Sequence, residues 1–275
     1  TYFAIRKLAQ GWFPRWGLTL ELVDMTDAAK VRAALKPNTC LLWAETPSNP
    51  LIKLSAIAPL AAIAREAGAT LVVDATFATP LLLQPLALGA DVVMHSTTKY
   101  LAGHSDVTGG ALVFARDGAL AQAVDETRKL QGAIANPFAS WLVLRGLRTL
   151  APRIDWHQRN ATAVASFLAS HPRVAKVHYP GLASHPQHAL VGTEMRGPGG
   201  MLSFEVAGTR ADALAVAGRL KLFVNATSLG GFESLVEHRR SSEGPTSSTP
   251  ETLLRLSVGL EHADDLIADL HQALA

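Results

Sequence analysis

The chain has 275 residues, 48% of them hydrophobic and 17% charged, which excludes a disordered segment too poor in apolar surface to fold. Lysine plus arginine exceeds aspartate plus glutamate by 25 − 23 = +2, and no basic run is longer than Arg239-Arg240, so the charge balance does not suit a nucleic-acid partner. The single cysteine, Cys40, excludes an intrachain disulfide framework and a multi-cysteine zinc site, and its apolar setting predicts a buried reduced thiol. The opening Thr1-Tyr2-Phe3-Ala4-Ile5-Arg6-Lys7 has no signal-peptide pattern. The most apolar region, 80–94, is broken by Gln84, Pro85 and Asp91, which leaves it short of the ~20 apolar residues of a membrane span. The expectation is a cytoplasmic protein without a membrane partner. The missing initiator Met predicts a processed chain or a fragment.

In chain order, Thr26-Asp27 can cap a helix that Pro37 ends, with Val31, Ala34 and Leu35 on one face. Residues 39–44 form a short apolar run, read as a buried strand. Ser55 stands where a cap is wanted for a helix at 56–67, and Gly68 suits its C-terminal stop. Further strands are predicted at 70–74, 91–95 and 110–114. Strands alternating with helices imply a mostly parallel sheet covered on both faces. Ligands in such sheets bind beyond the carboxyl ends of the strands, where Asp74 and the segment after His95 stand.

The second half predicts helices at 117–130, 139–150, 153–170, 210–220 and 263–273, and strands at 174–179, 201–206 and 253–258. The fold class is therefore α/β, with a large domain over 1–150 and a smaller α+β domain over 151–275, as one or two domains of ~150 residues would allow. Residues 241–250 read as loop, and no internal repeat is present.

Phosphate loops of the Gly-x-x-x-x-Gly-Lys type, Gly-x-Gly-x-x-Gly and Gly-x-Ser-x-Gly are all absent, which removes the fingerprint a nicotinamide dehydrogenase needs. His178, His185 and His188 lie in a Pro-rich stretch without a nearby carboxylate, so no metal is expected there. The strongest local signal is Ser96-Thr97-Thr98-Lys99-Tyr100, directly after a buried strand. Ser96 and Thr98 can donate hydrogen bonds to a phosphate, and a partly desolvated Lys99 can form a Schiff base with an aldehyde. Pyridoxal 5'-phosphate offers both groups and needs an acid at its pyridine nitrogen, a role that Asp74 at the neighbouring strand end fits. Alone, Lys99 reads as a surface lysine and Asp74 as a helix cap; together at two strand ends they point to a cofactor site.

At these residues the chain resembles the transsulfuration family of pyridoxal-phosphate enzymes of cysteine and methionine metabolism. The resemblance runs over nearly the whole chain. It is carried by Glu45-Thr46-Pro47-Ser48-Asn49-Pro50, Val73-Asp74-Ala75-Thr76-Phe77, His95-Ser96-Thr97-Thr98-Lys99-Tyr100 and Gly103-His104-Ser105-Asp106. Further on come Tyr179-Pro180-Gly181-Leu182, Ser228-Leu229-Gly230-Gly231 with Glu233-Ser234-Leu235, and Arg255-Leu256-Ser257-Val258-Gly259.

The resemblance implies fold type I of the pyridoxal-phosphate-dependent transferases. It implies that Lys99 carries the cofactor and shuttles protons, that Asp74 pairs with the pyridine nitrogen, and that Ser96, Thr98 and Thr76 help to hold the cofactor. Asn49 would sit by the cofactor's phenolic oxygen and the substrate carboxylate, Arg255 would clamp that carboxylate, and Ser228 would lie near Lys99 and the substrate. Tyr2 would stack on the cofactor ring and serve as acid/base for the leaving group. By themselves Ser228 and Asn49 also read as turn residues, and Arg255 as half of a structural ion pair.

The implied activity is γ-replacement or γ-elimination on sulfur amino acids or homoserine esters, of the cystathionine γ-synthase or γ-lyase type, with a place in amino-acid metabolism such as methionine biosynthesis. The Ser-Leu-Gly-Gly motif, common among those two, favours it. A cystathionine β-lyase or a homoserine-ester sulfhydrylase shares the same residues and is the alternative. The implied assembly is a homotetramer built as a dimer of dimers.

Two departures stand out. The family begins well upstream, with an arm bearing a tyrosine and an arginine for the neighbouring subunit's phosphate and a glycine-containing phosphate loop. A chain lacking these predicts a weakened tetramer, and a non-catalytic fragment unable to hold the cofactor alone is the alternative of another class. Many members also carry His-Pro-Ala-x-x-Thr-His after the Gly-Gly motif, where Glu237-His238-Arg239-Arg240-Ser241-Ser242 stands here.

Overall fold

The apolar runs of the first half pair into one sheet, as their alternation with helices predicts. A computed structural model describes residues 3–244 and 247–275. Its first half comprises α1 (Phe3–Gly11), a 3-10 turn (Phe13–Trp16), α2 (Ala28–Ala34), β1 (Leu41–Glu45), α3 (Ile57–Glu66), β2 (Thr70–Asp74), α4 (Thr79–Leu82), β3 (Val92–Ser96), a wide helical turn (Thr97–Leu101) and β4 (Gly110–Phe114). The strand order is β1-β2-β3-β4. β1, β2 and β3 run parallel and β4 returns antiparallel. Leu71 and Val73 on β2 are fully enclosed with Ala44 and Ile63. Each large aliphatic buried in this way contributes about 1.5–3 kcal/mol.

The second half comprises α5 (Ala119–Leu130), α6 (Pro137–Arg148), α7 (Leu150–Ser170), β5 (Val174–His178), a 3-10 turn (His188–Leu190), β6 (Met201–Val206), α8 (Arg210–Arg219), β7 (Val224–Asn225), β8 (Leu235–His238), α9 (Arg239–Glu243), β9 (Leu253–Ser257) and α10 (Ala263–Leu274). Its sheet has the order β5-β6-β9-β8-β7. It is antiparallel except for β7 on β8. A second core joins α7, α8 and α10 to this sheet through Val164, Leu168, Val216, Leu256, Leu266 and Leu270. The first core also takes in Ile154, Met195, Met201 and Leu229, so residues from beyond 150 pack against the first sheet.

Three local expectations need correction. Cys40 is exposed. It precedes an edge strand whose first residue, Leu41, is also exposed, so apolar sequence neighbours do not enclose it. Ser55 does not cap α3: the cap residue is Ala56, and the Glu194 carboxylate accepts from the amides of Ile57 (2.6 Å) and Ala58 (3.2 Å) instead. A carboxylate here satisfies orphan donors and suits the positive end of the helix dipole. Cover on both faces is also incomplete at β4, where Leu112 and Val113 are 45% and 47% exposed. Among the described residues β4 is an edge strand, and α5 buries no side chain. Other signals hold. Asp27 caps α2 by accepting from Ala29 and Lys30, and Gly68 takes the left-handed conformation (φ 65°) that ends α3.

The turn after β3 is braced from α7. Arg153, 7% exposed, donates from Nη1 to Tyr100 O (2.8 Å), from Nη2 to Gly146 O (2.8 Å) and from Nε to Thr149 Oγ1 (3.1 Å). Helix α6 comes so close to this turn that a Cβ on Gly146 would stand 2.2 Å from Ala102 O. Arg153→Met would remove the side-chain donor to the Tyr100 carbonyl, while Gly146 O keeps the Thr149 amide and hydroxyl, and is expected to destabilise the fold by about 1–3 kcal/mol. Urea unfolding measures this, and a variant matching the wild type would contradict the bracing role.

Candidate active site

Parallel strands place their carboxyl ends side by side, and here they deliver acids, hydroxyls and a lysine to one rim. Glu45 and Asp74 are direct register partners at the ends of β1 and β2. Ser96 ends β3, and Lys99 sits in the turn that follows, with φ −93° and ψ −134° breaking the helical path. This departure aims Lys99 away from its helical neighbours. Its Nζ lies 2.9 Å from Ser228 Oγ. Burial holds the Lys99 amine below its usual range, helped by Arg255 and Arg239 and opposed by Glu237. A lysine in that state has a larger neutral, nucleophilic fraction than a solvated one.

Asp74 is buried, and burial raises its carboxyl above the ordinary carboxylate range, although the Thr76 amide donates to its Oδ1 (3.0 Å). Burial likewise raises Glu45, and the neighbouring Asp74 charge adds to the shift. Two buried acids side by side favour a cation or a protonated nitrogen beside them. Thr76 Oγ1 accepts from the Ser96 amide (2.9 Å), tying β3 to the loop after β2. The Ser96 hydroxyl has no hydrogen-bond partner among the described residues. Thr98 Oγ1 accepts from Gly109 N (2.9 Å) and donates to Gly109 O (3.3 Å).

The second sheet closes the site from the other side. Arg255, in the middle of β9 and 3% exposed, donates from Nη1 to Asn49 Oδ1 (3.1 Å) and from Nη2 to Ser228 O (2.8 Å) and Glu237 Oε2 (2.5 Å). Burial lowers the Arg255 pKa and Glu237 pulls it back up. Asn49 is fixed in turn by its own amide, which donates to Glu45 Oε1 (2.9 Å). Ser228 therefore meets Lys99 through its hydroxyl and Arg255 through its carbonyl. It does so with φ 85°, a strained backbone for a non-glycine residue, of the kind that concentrates at functional sites. Gly230, at φ 73°, needs its bare Cα, since a Cβ would come 2.8 Å from Tyr100 N.

The structure thus brings Lys99, Ser228, Asn49 and Arg255 into one hydrogen-bonded group. Asp74, Thr76 and Ser96 form a second group on adjoining strand ends, and Thr98 lies at the edge. Tyr2 lies outside the described residues. His188 Nδ1 donates to Pro180 O (2.7 Å), and His178 pairs with Glu205 (2.7 Å).

Beside Ser228 opens a cleft of about 570 Å³, lined among others by Thr98, Ser105, Asp106, Glu233 and Leu235. Its charged lining residues are the two acids Asp106 and Glu233; no lysine or arginine lines it among the described residues. Glu233 accepts a hydrogen bond from Ser105, and its Oε2 is buried without a partner. Sequence reasoning quoted Glu45, Glu233 and Glu237 within motifs without giving them roles. For Glu45 the signal was its place at a strand end; the other two reveal themselves only through long-range contacts.

The donor set suits pyridoxal phosphate. An amine of lowered pKa, a buried carboxyl at a strand end, an unpaired hydroxyl on the next strand and an arginine for a carboxylate are the groups its ring aldehyde, ring nitrogen, phosphate and amino-acid substrate require. The comparisons agree with this chemistry. The family model described as Cys/Met metabolism PLP-dependent enzyme matches residues 1–275. The cystathionine gamma-synthase of Mycobacterium tuberculosis is 46% identical over 273 residues, covering 98% of this chain and 70% of its own. The cystathionine beta-lyase of Coxiella burnetii is 45% identical over 266 residues, covering 94% and 69%. The crystal structure of metB from Corynebacterium glutamicum superimposes with a TM-score of 0.94 at 42% identity, covering 98% of this chain and 71% of that one.

Proposed function

The chain belongs to the Cys/Met metabolism PLP-dependent enzymes, and on that premise we propose that it catalyses γ-replacement or γ-elimination with cystathionine as product or substrate. The observation that carries this reading is the contact of Lys99 Nζ with Ser228 Oγ at 2.9 Å, on a residue whose carbonyl also binds the Arg255 guanidinium. A proton-transfer amine and a carboxylate anchor thereby share one short segment. The bound cofactor supplies an electron sink for negative charge developing at the substrate's α-carbon.

The chain's own groups supply the rest. Arg255, steadied by Asn49, binds the substrate carboxylate. Lys99 Nζ in its neutral form would remove the α-proton; for a γ-leaving group it would first return that proton to the substrate–cofactor system and then take one from the β-carbon, with the Ser228 hydroxyl orienting it. Asp74 would keep a proton on the ring nitrogen, and Ser96, Thr76 and Thr98 would hold the cofactor in place. The bond to the leaving group would then break, with the Lys99 ammonium the nearest proton source for the departing atom; water would complete elimination to a keto acid and ammonia, or a thiol would add where the leaving group was.

The two acids of the cleft suit a substrate with an ammonium at its far end, which cystathionine has and an acyl homoserine ester lacks. Glu233→Gln is therefore expected to raise KM for cystathionine about tenfold, a loss of ~1.4 kcal/mol, with a smaller rise for O-acetylhomoserine. Equal rises for both would remove Glu233 from distal recognition.

Product analysis with cystathionine tests the proposal. γ-Elimination releases 2-oxobutanoate and cysteine, whereas pyruvate with homocysteine would assign a β-lyase. We further propose the 1–150 and 151–275 division, a cytoplasmic location, and a homo-oligomer formed as a dimer of dimers. The exposed apolar side chains Phe138, Trp141, Leu144 and Leu147 on α6 support the assembly, and light scattering tests it. No described helix is long and apolar enough to cross a membrane.

A further inference from the structure

The segment that departs from the family pattern builds a chain of alternating buried charges behind Arg255. Glu237 on β8 is the direct register partner of Arg255 on β9. Its Oε2 takes the Arg255 Nη2 at 2.5 Å, while its Oε1 accepts from Arg239 Nη1 (3.0 Å) and Ser242 Oγ (2.8 Å). Arg239 then donates from Nη2 to Glu243 Oε1 (3.1 Å). Glu243 is held by the hydroxyls of Ser247 and Thr249 on its other oxygen. The side chains of Glu237, Arg239 and Glu243 are at most 6% exposed. His238 pins the junction between β8 and α9, with one nitrogen on Ser241 Oγ and the other on Glu251 O, each at 2.7 Å.

A carboxylate this close to Arg255 competes with any substrate carboxylate for the same guanidinium. If Glu237 faced Arg255 alone, it would draw both oxygens onto it and cancel its charge. Arg239 takes one of those oxygens, and Glu243 neutralises Arg239 so that the added cation is not left unpaired in the interior. Arg255 meanwhile keeps its Nε–H buried and without a partner. It is a donor held in reserve on a nearly fully buried side chain.

We propose that Arg239 and Glu243 are positioning residues for the carboxylate clamp, dividing the charge of Glu237 so that Arg255 is fixed in plane yet still free to bind the substrate's carboxylate. The proposal rests on the reading of Arg255 given above. It deepens that reading by assigning the Glu237-His238-Arg239-Arg240-Ser241-Ser242 segment to substrate affinity.

The test uses the full chain loaded with cofactor and two probes, glycine and methylamine, which differ by the carboxylate. Binding is read from the visible absorption of the bound cofactor. Wild type should bind glycine far more tightly than methylamine, and Arg255→Lys should lose most of that preference. If wild type shows no preference, the Arg255 reading fails and this proposal falls with it. Arg239→Met/Glu243→Met removes the pair together and leaves no unpaired buried charge in it. It should weaken glycine about tenfold while methylamine binding stays put, the signature of a lost carboxylate contact and not of general damage. The same pair of changes should add little in the Arg255→Lys background. An unchanged glycine preference, or equal weakening of both probes, would overturn the proposal. Should the double variant fail to fold, Arg239→Lys keeps the charge but loses the planar fork. It should weaken glycine severalfold relative to methylamine, and no change there would overturn the proposal equally.

Discussion

Lys99→Ala is expected to lower kcat/KM with cystathionine by about four orders of magnitude or more, the scale on which loss of a central catalytic group acts. Lys99 is the lysine that the turn after β3 presents to Ser228, and burial with two arginines nearby keeps its amine prone to give up its proton. Among the described residues no second lysine is hydrogen-bonded within this group, so none is placed to take over proton transfer at the α-carbon. Steady-state assays of cofactor-loaded protein measure the effect. Residual activity within tenfold of wild type would contradict the assignment. The change should cost little stability, because it removes a buried amine whose strongest opponent is its own desolvation.

Asp74→Asn should cost roughly a hundredfold in kcat with the cofactor bound, on the order of the ~3 kcal/mol lost when one member of a buried charge pair is removed. The same change has an opposite signature without cofactor. Burial raises the folded-state pKa of Asp74 above 3.8. The stability this group contributes is therefore full below the unfolded value and is lost as pH rises through the raised folded value. Glu45, raised from 4.5 for the same first cause, acts in the same sense. Cofactor-free wild type should lose stability as pH climbs through that acidic window, and Asp74→Asn should lose less. Denaturant melts of both proteins across that window decide the matter, and indistinguishable pH profiles would contradict the buried-acid account.

Much of the scaffold was legible because its signals are local. The strands at 70–74 and 110–114 were read with the bounds that β2 and β4 show, since short apolar runs between turns encode them. Asp74 and Lys99 could be singled out because parallel sheets deliver chemistry to strand carboxyl ends. What stayed hidden depends on distant partners. β8 was not predicted, because its Glu237 and His238 break the apolar pattern and are buried only by pairing with Arg255, Arg239 and Glu251. The cap of α3 comes from Glu194, 137 residues from Ile57. Cys40 misled for the opposite reason: its neighbours are apolar, yet an edge position exposes it. Arg255 could be read as a clamp or as an ion pair, and with Glu237 beside it, the pairing half of that choice is visible in the geometry.

The most direct test of the site is to load the protein with pyridoxal phosphate, reduce it with borohydride and map the modified peptide by mass spectrometry. The expected result is one pyridoxyl group per chain on Lys99, with the visible band of the bound cofactor absent from Lys99→Ala. A label on another lysine, or no Lys99-dependent band at all, would contradict Lys99 as the cofactor's anchor in this chain and leave the reading of a non-catalytic fragment in its place.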